Sequence, residues 1–502
     1  MTMKKARTLG IVISREKFPP SHLFFEFKID EGAEVKVGDY VEVPSERGGI
    51  VGRVYEIVAY SNYFSDPQVL KDYLEFNMKL PSRTQVLEEE VLIAKVRIVG
   101  VYNGEELEPP SVPPPPGERV YIINKDIMSI LLGLSKDGIL LGTSWGCNNI
   151  PVKLDIDTLI RHHIAVLGVT GTGKSYTCGV IIEEVLERGV PVVIIDPHGE
   201  YLSLSEPNPN LKQLVELRKL GFKSKGYPVL VCSPSPSSTI NGGIRLTLRL
   251  SDLAPEAIAE MCNMTDVQED LTFLAMARLS RNTLNDFEKA IEVTARSYGF
   301  KDITLIAIKR RLAVLGQLNI LGSGVRPRDI VKPGVATIID LSSDIPEKAR
   351  RALVGTLLLN IFKARKRGEI PPLLVVVEEA HRFAPQEENT FSKTVLRKIA
   401  REGRKFGMGL CIASQRIVGL DKDILSQCGT KILLRIDSVT DLNFITPLIE
   451  HSSYDEVKRL PYLPIGVALV TGIALRYPLL VKIRPRKSRH GGVGDKIVVK
   501  SN

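Results

Sequence analysis

Residues Gly168-Val169-Thr170-Gly171-Thr172-Gly173-Lys174-Ser175 fit the pattern G-x-x-x-x-G-K-[ST]. The spacing has a chemical meaning. Glycines let the backbone curl until successive N–H groups point at phosphate oxygens, and the helix that follows adds its dipole. The lysine then reaches the β- and γ-phosphates of a nucleotide, and the Ser175 hydroxyl holds Mg²⁺. Tyr176, next in line, is counted with the nucleotide-binding residues. The alternative, a glycine-rich turn with no ligand, is disfavoured by context. An apolar run, Ile164-Ala-Val-Leu167, precedes the loop and a helix-forming segment follows it.

A second chemical feature is Leu373-Leu-Val-Val-Val377 running straight into Glu378-Glu379. A buried strand that ends in two carboxylates can place one on the metal and the other against an attacking water. The reading assigns Glu378 to Mg²⁺ and Glu379 to the general base; the competing reading is a helix N-cap with acids in its first turn. The run Pro191-Val-Val-Ile-Ile195 ends in Asp196, a candidate support for metal or water, or else a turn-forming Asp-Pro. Gly409-Leu-Cys-Ile-Ala-Ser414 ends in Gln415, a candidate γ-phosphate sensor or else a solvated strand end. No N-K-x-D guanine motif occurs, so ATP is the expected nucleotide.

Lys393, Arg397, Arg401 and Lys405 fall four residues apart on one helical face, with Lys398 and Arg404 nearby. Like charges at that spacing cost helix stability unless something compensates them. Nucleic-acid phosphates would do so, which makes Lys393, Arg397 and Lys398 candidate DNA contacts; a solvated basic face is the plainer alternative. Arg404 is the candidate arginine finger, since guanidinium stabilises a transferring phosphoryl group.

The elements that must position these residues are legible by pattern. Residues 1–116 hold five or six short strands and predict a small β-barrel, closed off by the run Pro109 to Gly117 taken as a stiff connection. Beyond it, short runs apolar on both faces alternate with helical stretches at 174–188 and 346–368. That is the pattern of a doubly wound α/β core, read as 117–250 and 325–485. Residues 251–324 interrupt it with helix-period stripes (Val267/Leu271/Leu274, Leu284/Phe287/Ile291 and Ile308/Leu312/Leu315) that predict an inserted helical bundle. Residues 486–502 read as a basic, flexible tail. At 502 residues the chain exceeds what one hydrophobic core supports. The formal net charge of +9 is compatible with a polyanionic partner without establishing one. Six scattered cysteines with no C-x-x-C pair read as buried apolar side chains of a reducing compartment. With no signal peptide and no run of 18 apolar residues, the expectation is a cytoplasmic protein with no membrane contact.

The barrel, then RHHIAVLGVTGTGKS, VVIIDPHGEY, LLVVVEEAHRF and REGRKFGMGLCIASQ, in that order over nearly the whole chain, resemble the archaeal HerA translocases of the HerA–FtsK superfamily. The resemblance implies a RecA-like ATPase core and a homohexameric ring with double-stranded DNA threaded through it. It further implies ATP with Mg²⁺ at subunit interfaces and a NurA-type nuclease on the barrel face, acting together in resection of double-strand breaks. Lys174, Ser175, Asp196, Glu378, Glu379, Gln415 and Arg404 would then carry the nucleotide chemistry, with Arg161 acting in trans. A ring ATPase acting on protein, or a nucleotide-gated DNA clamp without motor activity, would share the barrel and the phosphate loop.

Overall fold

Two compact units form, one within Met1–Leu134 and Ser144–Pro151, the other within Ser135–Thr143 and Val152–Asn502. The computed structural model describes residues 8–61, 71, 75, 90–146, 149–234, 243–279, 283–449 and 454–491; Cys147 and the chain beyond Gly491 lie outside them.

The first unit is built from β1 (Thr8–Ile13), β2 (Phe24–Ile29), β3 (Tyr40–Ser45), β4 (Gly48–Ser61), β5 (Glu90–Tyr102), β6 (Leu107–Glu108) and β7 (Arg119–Ile122). Their order is β2-β1-β7-β3-β4-β5-β6, and β2 also pairs with β5, which closes a six-stranded barrel with β6 appended. Phe25, Phe27, Val41, Val43, Val54, Val96 and Ile98 fill its core. Register shifts near Gly52 and Tyr55 bend the long β4 so that the sheet can curl. At Gly52 any side chain would strike Val96, with a Cβ only 2.3 Å from Val96 Cγ1. The expected boundary at the proline run is corrected here. The prolines cannot join a ladder, yet the chain beyond them returns as β7 between β1 and β3, so they lie inside the barrel rather than after it.

The second unit carries a mixed sheet of β8 (Ile139–Ser144), β9 (Pro151–Leu154), β10 (Ile164–Leu167), β11 (Val192–Asp196), β12 (Val229–Ser233), β13 (Ile244–Arg245), β14 (Ala336–Asp340), β15 (Leu373–Val377), β16 (Met408–Ser414), β17 (Thr430–Leu433), β18 (Val467–Gly472) and β19 (Leu479–Ile483). Its order is β13-β12-β14-β11-β15-β16-β10-β17-β18-β19-β8-β9. From β13 to β17 every pairing is parallel. Parallel strands covered by helices on both faces must be apolar throughout, and β10, β15 and β16 are buried at every position. Each such Val, Leu or Ile contributes about 1.5–3 kcal/mol relative to exposure. One consequence matters for function: the carboxyl ends of β10, β11, β14, β15 and β16 all emerge at the same edge.

The inserted helices Pro255–Cys262, Asp266–Met276, Leu284–Tyr298 and Asp302–Gln317 form as their periodicity predicts, with Phe287, Ile291, Ile308, Leu312 and Leu315 buried. Val267 departs from its expected stripe and is 53% exposed. Glu260 of the insertion accepts the Phe391 N–H at 2.7 Å, so the insertion caps the basic helix Phe391–Phe406 from outside.

The expectation of a mobile basic tail from residue 486 is overturned through Gly491, because Arg484, Arg486, Lys487 and Ser488 are buried. They cross the outer face of helix Lys174–Glu187, which presents Glu183, Glu184 and Glu187 to them. Arg484 bonds Glu183 and Glu184 at 3.0 Å each, and Lys487 bonds Glu184 and Glu187 at 2.8 Å each. Glu183 also accepts both Ser488 N–H and Ser488 O–H. Charge complementarity therefore turns a segment that looked solvated into a strap over the phosphate-loop helix.

Candidate active site

The phosphate loop takes the shape its glycines permit. Gly171 (φ 77°) and Gly173 (φ 104°) have left-handed backbones that L side chains rarely adopt. Thr172 Oγ1 donates to Val169 O at 2.7 Å and Lys174 Nζ donates to Val169 O at 3.2 Å, which holds the curl. Burial pulls the Lys174 ammonium below its ordinary range, while the charges of Glu379 and Glu378 oppose that shift. The lysine and both glutamates thus share one site.

β15 delivers the two carboxylates into different surroundings. Glu378 is buried and accepts the Tyr201 hydroxyl, which also lies 3.3 Å from Ser175 O. Burial pushes the Glu378 carboxyl up to about 7, and the carboxylates of Glu200, Asp196 and Glu379 add to the push against the Tyr201 hydrogen bond. Several acids around one lysine form a donor set that a divalent cation would neutralise, so the residues fit Mg²⁺. Among the described residues no group of three or more His, Cys, Asp or Glu is placed to hold a metal alone.

Glu379 sits in the left-handed region (φ 47°), uncommon for a residue with a side chain. His381 Nδ1 lies 3.3 Å from its Oε2 but is 3.1 Å from Ser414 Oγ, the partner with which it hydrogen-bonds. Burial holds His381 down at about 4, so it is neutral at pH 7. The Glu379 oxygen is left buried with no hydrogen-bond partner among the described residues. A carboxylate oxygen so placed can accept a proton from a water at the same sheet edge.

Asp196 is tied into the loop that follows it. Its carboxylate accepts the N–H groups of His198, Gly199 and Tyr201, at 3.2, 2.9 and 3.0 Å. Those bonds shape the loop that sends Tyr201 to Glu378. Gln415 does reach the phosphate loop, accepting the Thr170 hydroxyl.

The basic residues divide. Lys393 is buried, its Nζ donating to Gln386 O and Glu388 O at 3.0 Å each. Arg397 makes a two-pronged pair with Asp421, at 3.0 and 2.7 Å. Burial corrects Lys393 as a DNA contact, while Arg397 is part-exposed and held by Asp421; these intramolecular acceptors relieve the like-charge crowding that the helix pattern exposed. Lys398 is exposed. Arg404 and Arg161 are exposed and both depress the His162 imidazole, whose lowering starts with burial. That places them at the amino end of β10, opposite the phosphate loop and about 10 Å or more from it.

Tyr176 turns away from the loop, its hydroxyl donating to Gln213 and accepting the Arg486 N–H. Sequence reasoning gave no role to Tyr201 or His381. Both lie within the quoted motifs, two to five residues from an assigned acid, and that proximity was the available signal.

The family described as "Helicase HerA, central domain" matches residues 139–361. A DNA double-strand break repair helicase HerA from Pyrococcus furiosus is 31% identical, the match covering 97% of this chain and 94% of that one. One of the same name from Sulfolobus acidocaldarius is 28% identical over 95% of this chain and 93% of its own. Among solved structures, VirB4 of Thermoanaerobacter pseudethanolicus is similar with TM-score 0.53 and 17% identity, over 70% of this chain and 96% of that one. The plasmid coupling protein TrwB in complex with an ATP analogue is similar with TM-score 0.50 and 15% identity, over 71% of this chain and 92% of that one. These two share the P-loop ATPase fold. With its phosphate loop and paired glutamates on that fold, and with a full-length relative of this identity, the chain belongs to the HerA family of helicases.

Proposed function

We propose that this protein is an ATP-driven DNA translocase and helicase, a homohexamer that works with a NurA-type nuclease in resecting DNA double-strand breaks, in the cytoplasm. One observation carries the reading: Lys174, Glu378 and Glu379 converge at the sheet edge where the phosphate loop opens, with one buried Glu379 oxygen making no hydrogen bond among the described residues. The loop's N–H groups and Lys174 would bind the ATP phosphates, and Ser175 and Glu378 would hold Mg²⁺. Bound there, Mg²⁺ supplies positive charge to the phosphoryl oxygens. Glu379 orients the attacking water and takes its proton, and Gln415 reports whether the γ-phosphate is present.

No arginine proposed as a finger stands at the site of its own chain, so Arg404, or Arg161, is assigned to the site of a neighbouring copy. A ring with shared sites follows from that assignment. The names of the relatives support the DNA repair role. Among the described residues no helix is long and apolar enough to cross a membrane. Of the basic-helix candidates, Lys398 remains available for DNA.

Gel filtration with duplex DNA and an ATP analogue, followed by strand displacement with and without the nuclease, tests the assembly. A hexamer that displaces strands only with hydrolysable ATP is expected. A monomer with no displacement under either condition would refute it.

A further inference from the structure

The four inserted helices close on one another. The first packs against the second, the second against the third, the third against the fourth, and the fourth returns to the first. The first also packs on helix Glu347–Lys366, so the second and fourth stand on opposite flanks of the insertion. We propose that these flanks are the two halves of one contact: the second inserted helix of one copy docks on the fourth inserted helix of the next. The proposal rests on the ring reading above and names a surface that joins neighbouring subunits.

The flank of the second helix is apolar and acidic. Asp266, Asp270, Phe273 and Ala277 recur at i, i+4, i+7 and i+11, which is one helical face, and all four are exposed, Phe273 to 63%. Val267 borders them, also exposed. Among the described residues neither Asp266 nor Asp270 forms an ion pair. Instead acids crowd together here. The Glu269 carboxyl is raised first by burial and then by the charges of Glu256, Asp266 and Asp270. Like charges gathered at one surface favour a cationic partner.

The flank of the fourth helix is apolar and basic. Ile303, Ile306, Arg310 and Val314 fall at i, i+3, i+7 and i+11, and the two isoleucines are 74% and 58% exposed. Side chains so exposed on one face leave an apolar patch whose burial is favourable. Lys301 and Arg310 are exposed and form no ion pair among the described residues, whereas Lys309 is taken by Glu292. Asp302 offsets part of this charge at the amino end. Arg310 stands two turns beyond it, between Ile306 and Val314 on the same face.

The placement decides what kind of contact this is. Unlike surfaces on opposite flanks of one subunit make a head-to-tail contact, and such contacts close into rings. A two-fold contact would instead set Asp266 and Asp270 against their own copies, or Arg310 against Arg310, and those pairs repel. Nucleic acid does not suit the acidic flank, because its phosphates carry the same sign. A second copy of this chain offers both the apolar surface and the opposite charge.

The test is assembly of the full-length protein, followed by analytical ultracentrifugation at low salt over a range of concentrations. Asp270→Arg and Arg310→Asp are each expected to raise the concentration for half-assembly at least about tenfold. Both changes in one chain should restore it to within about threefold of the parent, because every interface then meets reversed charges on its two sides. Cross-linking reads the contact itself. In a Cys147→Ser background, where the five remaining cysteines are buried, Ala277→Cys and Ala313→Cys proteins are mixed and treated with a flexible bismaleimide. Cross-linked dimers are expected in the mixture and in neither protein alone. Reversals that leave assembly unchanged, a combined variant no better than the single ones, or cross-links within one protein alone would overturn the proposal and leave the ring reading standing. A parent that stays monomeric with duplex DNA and an ATP analogue would remove the ring reading itself.

Discussion

The Tyr201 hydroxyl donates to Glu378 Oε1 with both side chains buried, at the end of a loop whose turns are tied by Asp196. The pair fixes the rotamer of the carboxylate assigned to Mg²⁺ and supplies one of the influences that keep it ionised. Glu378 stands at about 7, so below that pH a proton competes with the metal. The apparent Mg²⁺ affinity should weaken by up to about tenfold per pH unit as pH falls through 7 and below. Tyr201→Phe removes a hydrogen bond that favours the ionised form, so it should weaken Mg²⁺ at pH 7 and move the onset to higher pH. Mn²⁺ binding followed by electron paramagnetic resonance between pH 6 and 8 reads this without turnover.

Glu379→Gln keeps the shape of the side chain but loses its basicity. Its hydrolysis rate should drop about 10²–10⁴-fold. Binding of AMPPNP should stay within about threefold of the parent. Steady-state turnover together with nucleotide titration separates the two effects; a variant that still hydrolyses at the parental rate would exclude Glu379 as the base.

The strap makes the phosphate-loop helix dependent on the carboxyl end of the described chain. Glu183 is fully buried and serves Arg484, Lys487 N–H and Ser488 at once. Removing one partner leaves buried cations uncompensated, so Glu183→Ala should cost about 3–5 kcal/mol in urea unfolding. Gly179→Ala should also destabilise, since its Cβ would lie 2.6 Å from the Arg486 guanidinium carbon.

His163 predicts a pH-dependent stability. Its Nε2 donates to Ala400 O and its Nδ1 accepts the Leu410 N–H, both at 3.0 Å, which ties the basic helix and β16 to the start of β10. Burial, aided by His162, holds it at about 4 against an ordinary 6.5, although the Ala400 bond opposes this. The unfolded chain therefore takes up a proton that the folded one refuses. This contribution is complete above about pH 6.5 and falls away as pH drops towards 4, by about 3 kcal/mol in all. Glu378 and His381 titrate over the same window in both proteins, so the difference in urea midpoint between the parent and His163→Gln at pH 4.5, 5.5 and 7 should show that slope.

Features that depend on neighbours in sequence could be read from the chain alone. The loop at 168–175, the strand ending at Glu378 and Glu379, the barrel strands and the inserted helices needed only local spacing and period. What escaped depended on partners far along the chain. The segment 486–488 looked like a flexible tail because its acids lie about 300 residues away on one helix. Lys393 and Arg397 looked free because Asp421 follows in a later turn. The β7 strand hid behind prolines, whose local signal is to stop a ladder, although the chain re-enters the same sheet beyond them. Asp196 was placed at the right edge, but its bonds to three backbone N–H groups belong to loop geometry that composition does not reveal.

Steady-state ATP hydrolysis by the parent and by Lys174→Ala, each with and without duplex DNA at low and high salt, is the most direct test of the central claim. The parent should turn over faster with DNA, with the stimulation falling steeply as salt rises, and Lys174→Ala should show neither basal nor stimulated turnover. A Lys174→Ala protein that hydrolyses ATP as fast as the parent, or parental turnover indifferent to DNA at every salt concentration, would contradict it.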